Sequence, residues 1–297
     1  MVTPPARKAG VRHLKEGCCY SERRACAVVG ISRTAVRYIP RPRLGEEELR
    51  ESVRELARRN KRYGYRRIAA CLRREGYRVN TKRVHRIWKA EGLGLPRKRP
   101  KRRRYGPRGE VIRKAEHKDH VWSYDFVEDR TERGGKLRML TILDEYTRES
   151  LSIQVEKSMP SGKVIEALRW LFYTRGIPEY LRSDNGPEFV AKAIQQWLAH
   201  TGCRTLYIKP GSPWENPYIE SFIAKFRDEC LNREVFRNGR EAQIVVEAWR
   251  KEYNECRPHS ALGYLTPSEF ARVAVSSGRA TPSLRLQQSS KETILSL

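Results

Sequence analysis

No run of about 18 apolar residues occurs anywhere in the chain, so the sequence offers no membrane-spanning helix. Its opening, MVTPPARKAG, lacks the apolar stretch of a secretory signal, and the expectation is a soluble, unexported, cytoplasmic protein. Paired cysteines are missing as well. The seven cysteines include no C-x-x-C, with Cys18 and Cys19 adjacent and the others scattered, which argues against a disulfide framework. A structural zinc site would need such a pair to complete the two ligands that His117-x-x-His120 could supply. Acidic residues are scarce in the front of the chain. Residues 1–114 hold 35 Lys and Arg against 10 Asp and Glu, leaving 26 against 25 for residues 115–297. A net charge of +26, almost all of it in the first 114 residues, implies a polyanionic partner for the front and a chemically different task for the back.

The basic front divides into segments. Residues 1–44 contain SERRACAVVGISRTAVRY, which predicts two short helices capped by Ser21 and Ser32 and broken at Gly30, a small helix-turn-helix-like unit. Residues 45–95 predict a clearer helix-turn-helix: a helix over 46–59, a second over 65–75, a turn at Gly76, and a third capped by Asn80 or Thr81 that runs to about Glu91. On that last helix Val84, Ile87 and Trp88 share one face. Lys82, Arg83, His85, Arg86 and Lys89 lie away from it, as a recognition helix requires if apolar residues seat it and basic ones meet phosphates and base edges. An ordinary amphipathic helix with a solvated basic face would show the same charge pattern. Residues 96–114 open with PRKRPKRRRYGPRG, a basic linker in which Arg99, Lys101, Arg102, Arg103 and Arg104 are candidates for tracking a phosphate backbone.

From His120 the pattern changes. VWSYDFV, KLRMLTILDEY and SLSIQVE predict three adjacent strands, and a helix is expected over 161–173. A fourth strand ending at Asp184, a helix over 188–200, a strand CRTLYIK and helices over 217–231 and 240–253 complete a mixed α/β order for residues 115–275. The tail, residues 276–297, is polar and predicted disordered. Within this layout Asp125 lies inside an apolar strand, Asp184 precedes the turn Asn185-Gly186-Pro187, and Glu220 falls early on a helix. A carboxylate inside an apolar strand is costly unless it is paired or binds a cation, and converging carboxylates suit Mg²⁺ or Mn²⁺.

These residues also carry a resemblance. RSDNGPEF and KPGSPWENPYIESF place 35 residues between Asp184 and Glu220. With Asp125 they resemble the D, D, 35, E signature of the integrase core shared by retroviral integrases and insertion-sequence transposases. YGYRRIAACLRREGYRVNTKRVHRIWKAEGL before the core and YNECRPHSALGYLTPSEF after it are similar to segments of the IS-three family, second-reading-frame product, near the IS-four-oh-seven subgroup. The resemblance implies a ribonuclease-H-like core with a five-stranded mixed sheet, and a bacterial, nucleoid-associated transposase that nicks element ends and transfers strands through a circular intermediate. It also implies two divalent ions on Asp125, Asp184 and Glu220. Element ends and target DNA are the expected partners, with a homo-oligomer on DNA and the upstream-frame product as a further candidate partner. Asn185, Lys209, Trp214, Lys225 and Arg227 are candidate DNA contacts around the core, while His259 is expected to hold the C-terminal segment. The chain departs from the family at Pro217 and at Ile223-Ala224; Ile223 is expected to bring an apolar side chain near the polar site. A DNA-binding regulator with a decayed core and a plain nuclease are the rival readings.

Overall fold

The computed structural model describes residues 3–39, 45–96, 114–183, 192–208 and 216–276. They fall into two compact units, Met1–Ser52 and Val53–Leu297. Among the described residues no helix is long and apolar enough to cross a membrane.

The first unit is helical. Helix α1 (Pro4–Gly17) starts with proline in its first turn, where a missing amide hydrogen costs nothing. Helices α2 (Glu22–Val29) and α3 (Arg33–Arg37) follow with the predicted caps: Ser21 Oγ accepts from Arg24 N and Ser32 Oγ from Ala35 N. Gly30 closes α2 in the left-handed region at φ +68°, which a residue without Cβ adopts freely. A small core of Val11, Ala25 and Cys26 joins these helices. Two helices were expected here, and α1 is the third; its mostly polar sequence buries only Val11, so it carries little apolar periodicity.

Helix α4 (Glu46–Arg59) begins in the first unit and ends in the second. Helices α5 (Tyr65–Arg74) and α6 (Thr81–Ala90) then pack together through Ile68, Ala69, Leu72, Val84, Ile87 and Trp88. Asn80 is the cap, its Oδ1 accepting from Lys82 N at 2.9 Å. Arg54 on α4 pairs with Glu91 at the end of α6 at 2.7 Å.

The mixed α/β core follows as β1 (Val121–Arg130), β2 (Lys136–Asp144), β3 (Ser150–Glu156), α7 (Ser161–Arg175), β4 (Tyr180–Ser183), α8 (Lys192–Thr201), β5 (Arg204–Tyr207), α9 (Pro217–Glu229), α10 (Gly239–Glu255) and α11 (Pro267–Ser276). The sheet order is β3-β2-β1-β4-β5. Strands β1, β2 and β3 are antiparallel, and β4 and β5 run parallel to β1. This is the mixed, ribonuclease-H-like sheet that the resemblance implied. One face packs Trp122, Tyr124, Leu140 and Ile142 on α7 and α8. The other packs Val127, Met139, Leu143 and Ile153 on Ile219, Phe222 and Phe226 of α9 and on α10, each buried large side chain contributing about 1.5–3 kcal/mol.

Two devices fix the sheet's edges and turns. β3 is an edge strand, and side-chain amides of α10 satisfy its outer groups: Asn254 bonds Ser150 N and O, both at 2.9 Å, and Gln243 accepts from Val155 N at 2.8 Å. After β2, the buried Asp144 accepts from the amides of Asp119, Tyr146 and Thr147. Burial, then the charge of Asp119, push its carboxyl up to about 7.

Candidate active site

Side chains alternate along a strand. Trp122, Tyr124 and Phe126 enter the layer beneath α7 and α8, so Ser123, Asp125 and Val127 turn to the opposite face, where Val127 packs with α9. Asp125 therefore presents its carboxylate on the α9 side of the sheet, half-buried, with Oδ1 accepting from Phe126 N at 2.7 Å. Its partner in register across β2 is Thr141, whose Oγ1 donates to the Asp125 carbonyl at 2.9 Å.

Helix α9 packs against both β1 and β2, seated by Ile219, Phe222 and Phe226. Glu220 lies in its first turn, exposed, where the free amides of a helix start favour negative charge. Pro217 is the first residue of α9, a position that tolerates proline. Ile223, three residues after Glu220 on the same helix, is half-buried and packs against the apolar layer of Phe222, Phe226 and their neighbours. β4 is described as far as Ser183; Asp184 and Asn185, with Lys209 and Trp214, lie outside the described residues. Just before that end, buried Arg182 pairs with buried Glu145 at 2.8 Å. Glu145 also accepts from Ser123 Oγ.

The two acids that the structure describes fit a hard divalent cation in their donor chemistry. Both offer carboxylate oxygens, one on a rigid central strand and one on a helix packed against that strand. His117 and His120 form a different cluster. Their rings stack at 4.6 Å and their Nε2 atoms lie 3.4 and 3.8 Å from the Glu179 carboxylate. His120 Nδ1 accepts from Glu116 N, which assigns that ring's proton to Nε2; a ring in this tautomer offers Glu179 a donor and a metal no lone pair.

On α6, Lys82, His85, Arg86 and Lys89 are exposed while Arg83 is half-buried, and the His85 ring lies 4.3 Å from that of Tyr65. Arg99 and Lys101 to Arg104 fall outside the described residues. Arg227 is exposed. Lys225 is half-buried: its ammonium donates to Ser221 O and Oγ at 2.7 and 2.6 Å, and burial, with Arg257 next, pulls it down to about 8. His259 is buried edge-on to Tyr253 at 4.8 Å, and burial, then Arg257, hold it down at about 2. Its amide donates to Leu265 O, and its carbonyl accepts from Leu262 N and Tyr264 N, so it does organise the C-terminal segment. Sequence reasoning missed Arg67, Arg148 and Arg257, which come from three distant segments to the neighbourhood of Lys225.

Three helices that form a helix-turn-helix, followed by a five-stranded mixed sheet covered by helices on both faces, define a two-part protein with a ribonuclease-H-like core. Family models agree: an HTH-like domain matches residues 45–104, and integrase core domain models match residues 115–213 and 201–267. The insertion element IS407 31.7 kDa protein of Burkholderia multivorans is 42% identical over 258 residues, covering 87% of this chain and 93% of that protein. The transposase for insertion sequence element IS904 of Lactococcus lactis is 26% identical over 241 residues, covering 76% of this chain and 94% of that protein. A solved structure of the HTLV-2 integrase catalytic core domain in complex with magnesium aligns with a TM-score of 0.40 at 16% identity, over 53% of this chain and 99% of that one. The chain belongs to the insertion-element transposases with an integrase core domain.

Proposed function

We propose that this transposase nicks the ends of its insertion element and joins the freed 3′-hydroxyl to new DNA, with Asp125, Asp184 and Glu220 as the acids that hold two Mg²⁺ or Mn²⁺ ions. The observation that supports the reading is the alternation of β1, which turns Asp125 out of the α7/α8 layer and toward the face on which α9, the helix that carries Glu220, packs. When bound, divalent ions would lower the barrier at phosphorus by activating the attacking oxygen and stabilising the leaving one. The chain's own residues do the rest. Asp125 is held by the central strand and by the Phe126 amide, so its oxygens are pre-positioned at little entropic cost. Glu220 sits on a helix anchored by Ile219 and Phe222, and the exposed Arg227, seven residues on, returns to nearly the same face, where it can meet a substrate phosphate. Helix α6 offers Lys82, Arg83, His85, Arg86 and Lys89 to the element end, with Val84, Ile87 and Trp88 seating it. The linker cations and Asn185, Lys209 and Trp214 are assigned to phosphate and strand contacts in the same reading.

The test is a strand-joining assay with Mg²⁺ and duplexes taken from the DNA that flanks the gene. Joined product supports the proposal. Cleavage without joining assigns a nuclease, and binding with neither reaction assigns a regulator.

A further inference from the structure

Four cations from four separate segments line one cleft of about 390 Å³. Arg67 comes from α5, Arg148 from the turn between β2 and β3, Lys225 from α9 and Arg257 from the segment after α10. None of the described residues lining the cleft is acidic. The carboxylate beside it, Glu229, is engaged through both oxygens by Arg257 Nε and Nη2, at 2.7 and 2.6 Å. Gathering like charges in a partly desolvated cleft is unfavourable, and the lowered pKa of Lys225 reports that strain: burial first, then Arg257, oppose its charge.

A second, independent observation points to a ligand. Arg148 Nη1, Arg257 Nη1 and His259 Nε2 are buried and have no hydrogen-bond partner among the described residues. Arg257 and His259 are 2% and 6% exposed, and all three residues line the cleft. Buried donors are almost always matched by acceptors, so two unmatched guanidinium nitrogens at one cationic cleft, with an unmatched imidazole nitrogen beside them, call for an acceptor that the described residues do not supply. The nitrogens are also pre-positioned. Arg148 has a left-handed backbone at φ +63° and stacks its guanidinium 3.7 Å from the Tyr218 ring centroid. His259 is held by its backbone bonds and by Tyr253. Ser221 and Ser260 add hydroxyls to the lining. Fixed guanidinium groups with hydroxyl donors are the chemistry that receives a phosphate.

We propose that this cleft is a receptor for a backbone phosphate of the DNA strand, separate from the phosphate that reacts beside Glu220. Pro217, Ser221 and Lys225 face the cleft, and one residue along a helix is about 100° of rotation, so the cleft flanks α9 on a different side from Glu220. Arg67 belongs to the helix-turn-helix pair and Lys225 to the helix that carries Glu220. A strand recognised by the first and cut at the second would thus be gripped between them. The source of the phosphate rests on the DNA-processing reading above; the anion chemistry does not.

The test uses the full chain in EDTA without DNA, following its thermal midpoint as inorganic phosphate replaces chloride at constant ionic strength. The expected result is a saturating rise, about 3 °C at tenfold over half-saturation. It should be lost in the double variant Arg148→Asn with Lys225→Met and reduced in Arg148→Asn alone, chosen because asparagine tolerates positive φ. With duplex DNA, the double variant should show a log-log salt dependence shallower by about 1. No saturating rise, or an equal rise in the variants, overturns the proposal. A rise that is lost while the DNA salt dependence stays unchanged assigns a free anion and overturns the DNA source. Neither readout involves divalent metal or reaction, so failure of the nicking and joining chemistry would leave both unchanged.

Discussion

Glu229→Gln is expected to be among the most destabilising single changes outside the apolar core. Arg257 is 2% exposed and donates from Nε and Nη2 to the two Glu229 oxygens, tying α9 to the segment that follows α10. Glutamine keeps the shape and one acceptor but removes the one negative charge paired with a guanidinium that sits among Lys225, Arg67 and Arg148. Breaking a buried pair from one side leaves an uncompensated charge and costs about 3–5 kcal/mol. At about 2–4 °C per kcal/mol for a unit of roughly this size, the thermal midpoint should fall by about 6–20 °C. Urea unfolding followed by tryptophan fluorescence provides the free energies. The double variant Glu229→Gln with Arg257→Met, which removes the stranded cation, should recover much of the loss, giving a coupling energy of the same order. A loss below about 1 kcal/mol in the single variant would refute the reasoning, since it would place the pair in the class of solvent-screened surface contacts.

Two further outcomes are expected. Arg83→Ala with Arg86→Ala should lower the preference for element ends over random duplex by roughly 1–3 kcal/mol per lost bidentate base contact, whereas neutralising Lys101 to Arg104 should weaken binding to both about equally; the reverse pattern in competition binding would move recognition to the linker. Asp144 has its carboxyl pushed up to about 7 by burial and by Asp119, so the folded state holds that proton more tightly than the unfolded one. Its contribution to stability is present at about pH 4 and falls as pH rises toward about 7. Asp119→Asn keeps an acceptor for Trp122 Nε1 and removes the neighbouring charge, so it should weaken that fall; urea midpoints between pH 4 and 8 that decline more steeply than in the parent would contradict it.

Much of the architecture was legible because it is written in local patterns. Period-two runs marked β1 to β3, with β3 matching SLSIQVE from Ser150 to Glu156, and Ser21, Ser32 and Asn80 marked helix starts through their own oxygens. Asp125 stood out as a charge within an apolar strand, and Glu220 through its spacing from Asp184. Features that depend on distant segments were not legible. No local pattern announces that Arg67, Arg148, Lys225 and Arg257 share a cleft, or that Glu145 meets Arg182 across the sheet. The packing of Ile223 belongs with these: it rests against an apolar layer that joins Phe222 and Phe226 to residues of the distant α10, a contact no local pattern announces.

The central claim is that three carboxylates hold the ions that drive strand transfer. The most direct test is Mg²⁺-dependent joining by Asp125→Asn, Asp184→Asn and Glu220→Gln, each checked for folding by thermal midpoint and for DNA binding in EDTA. The account predicts that each change abolishes both nicking and joining while leaving fold and EDTA binding near the parent's values, because it removes a metal-binding charge and little volume. Joining at the parent's rate in any one of the three would remove that residue from the site, and unfolding by all three would make the carboxylates structural and contradict the claim.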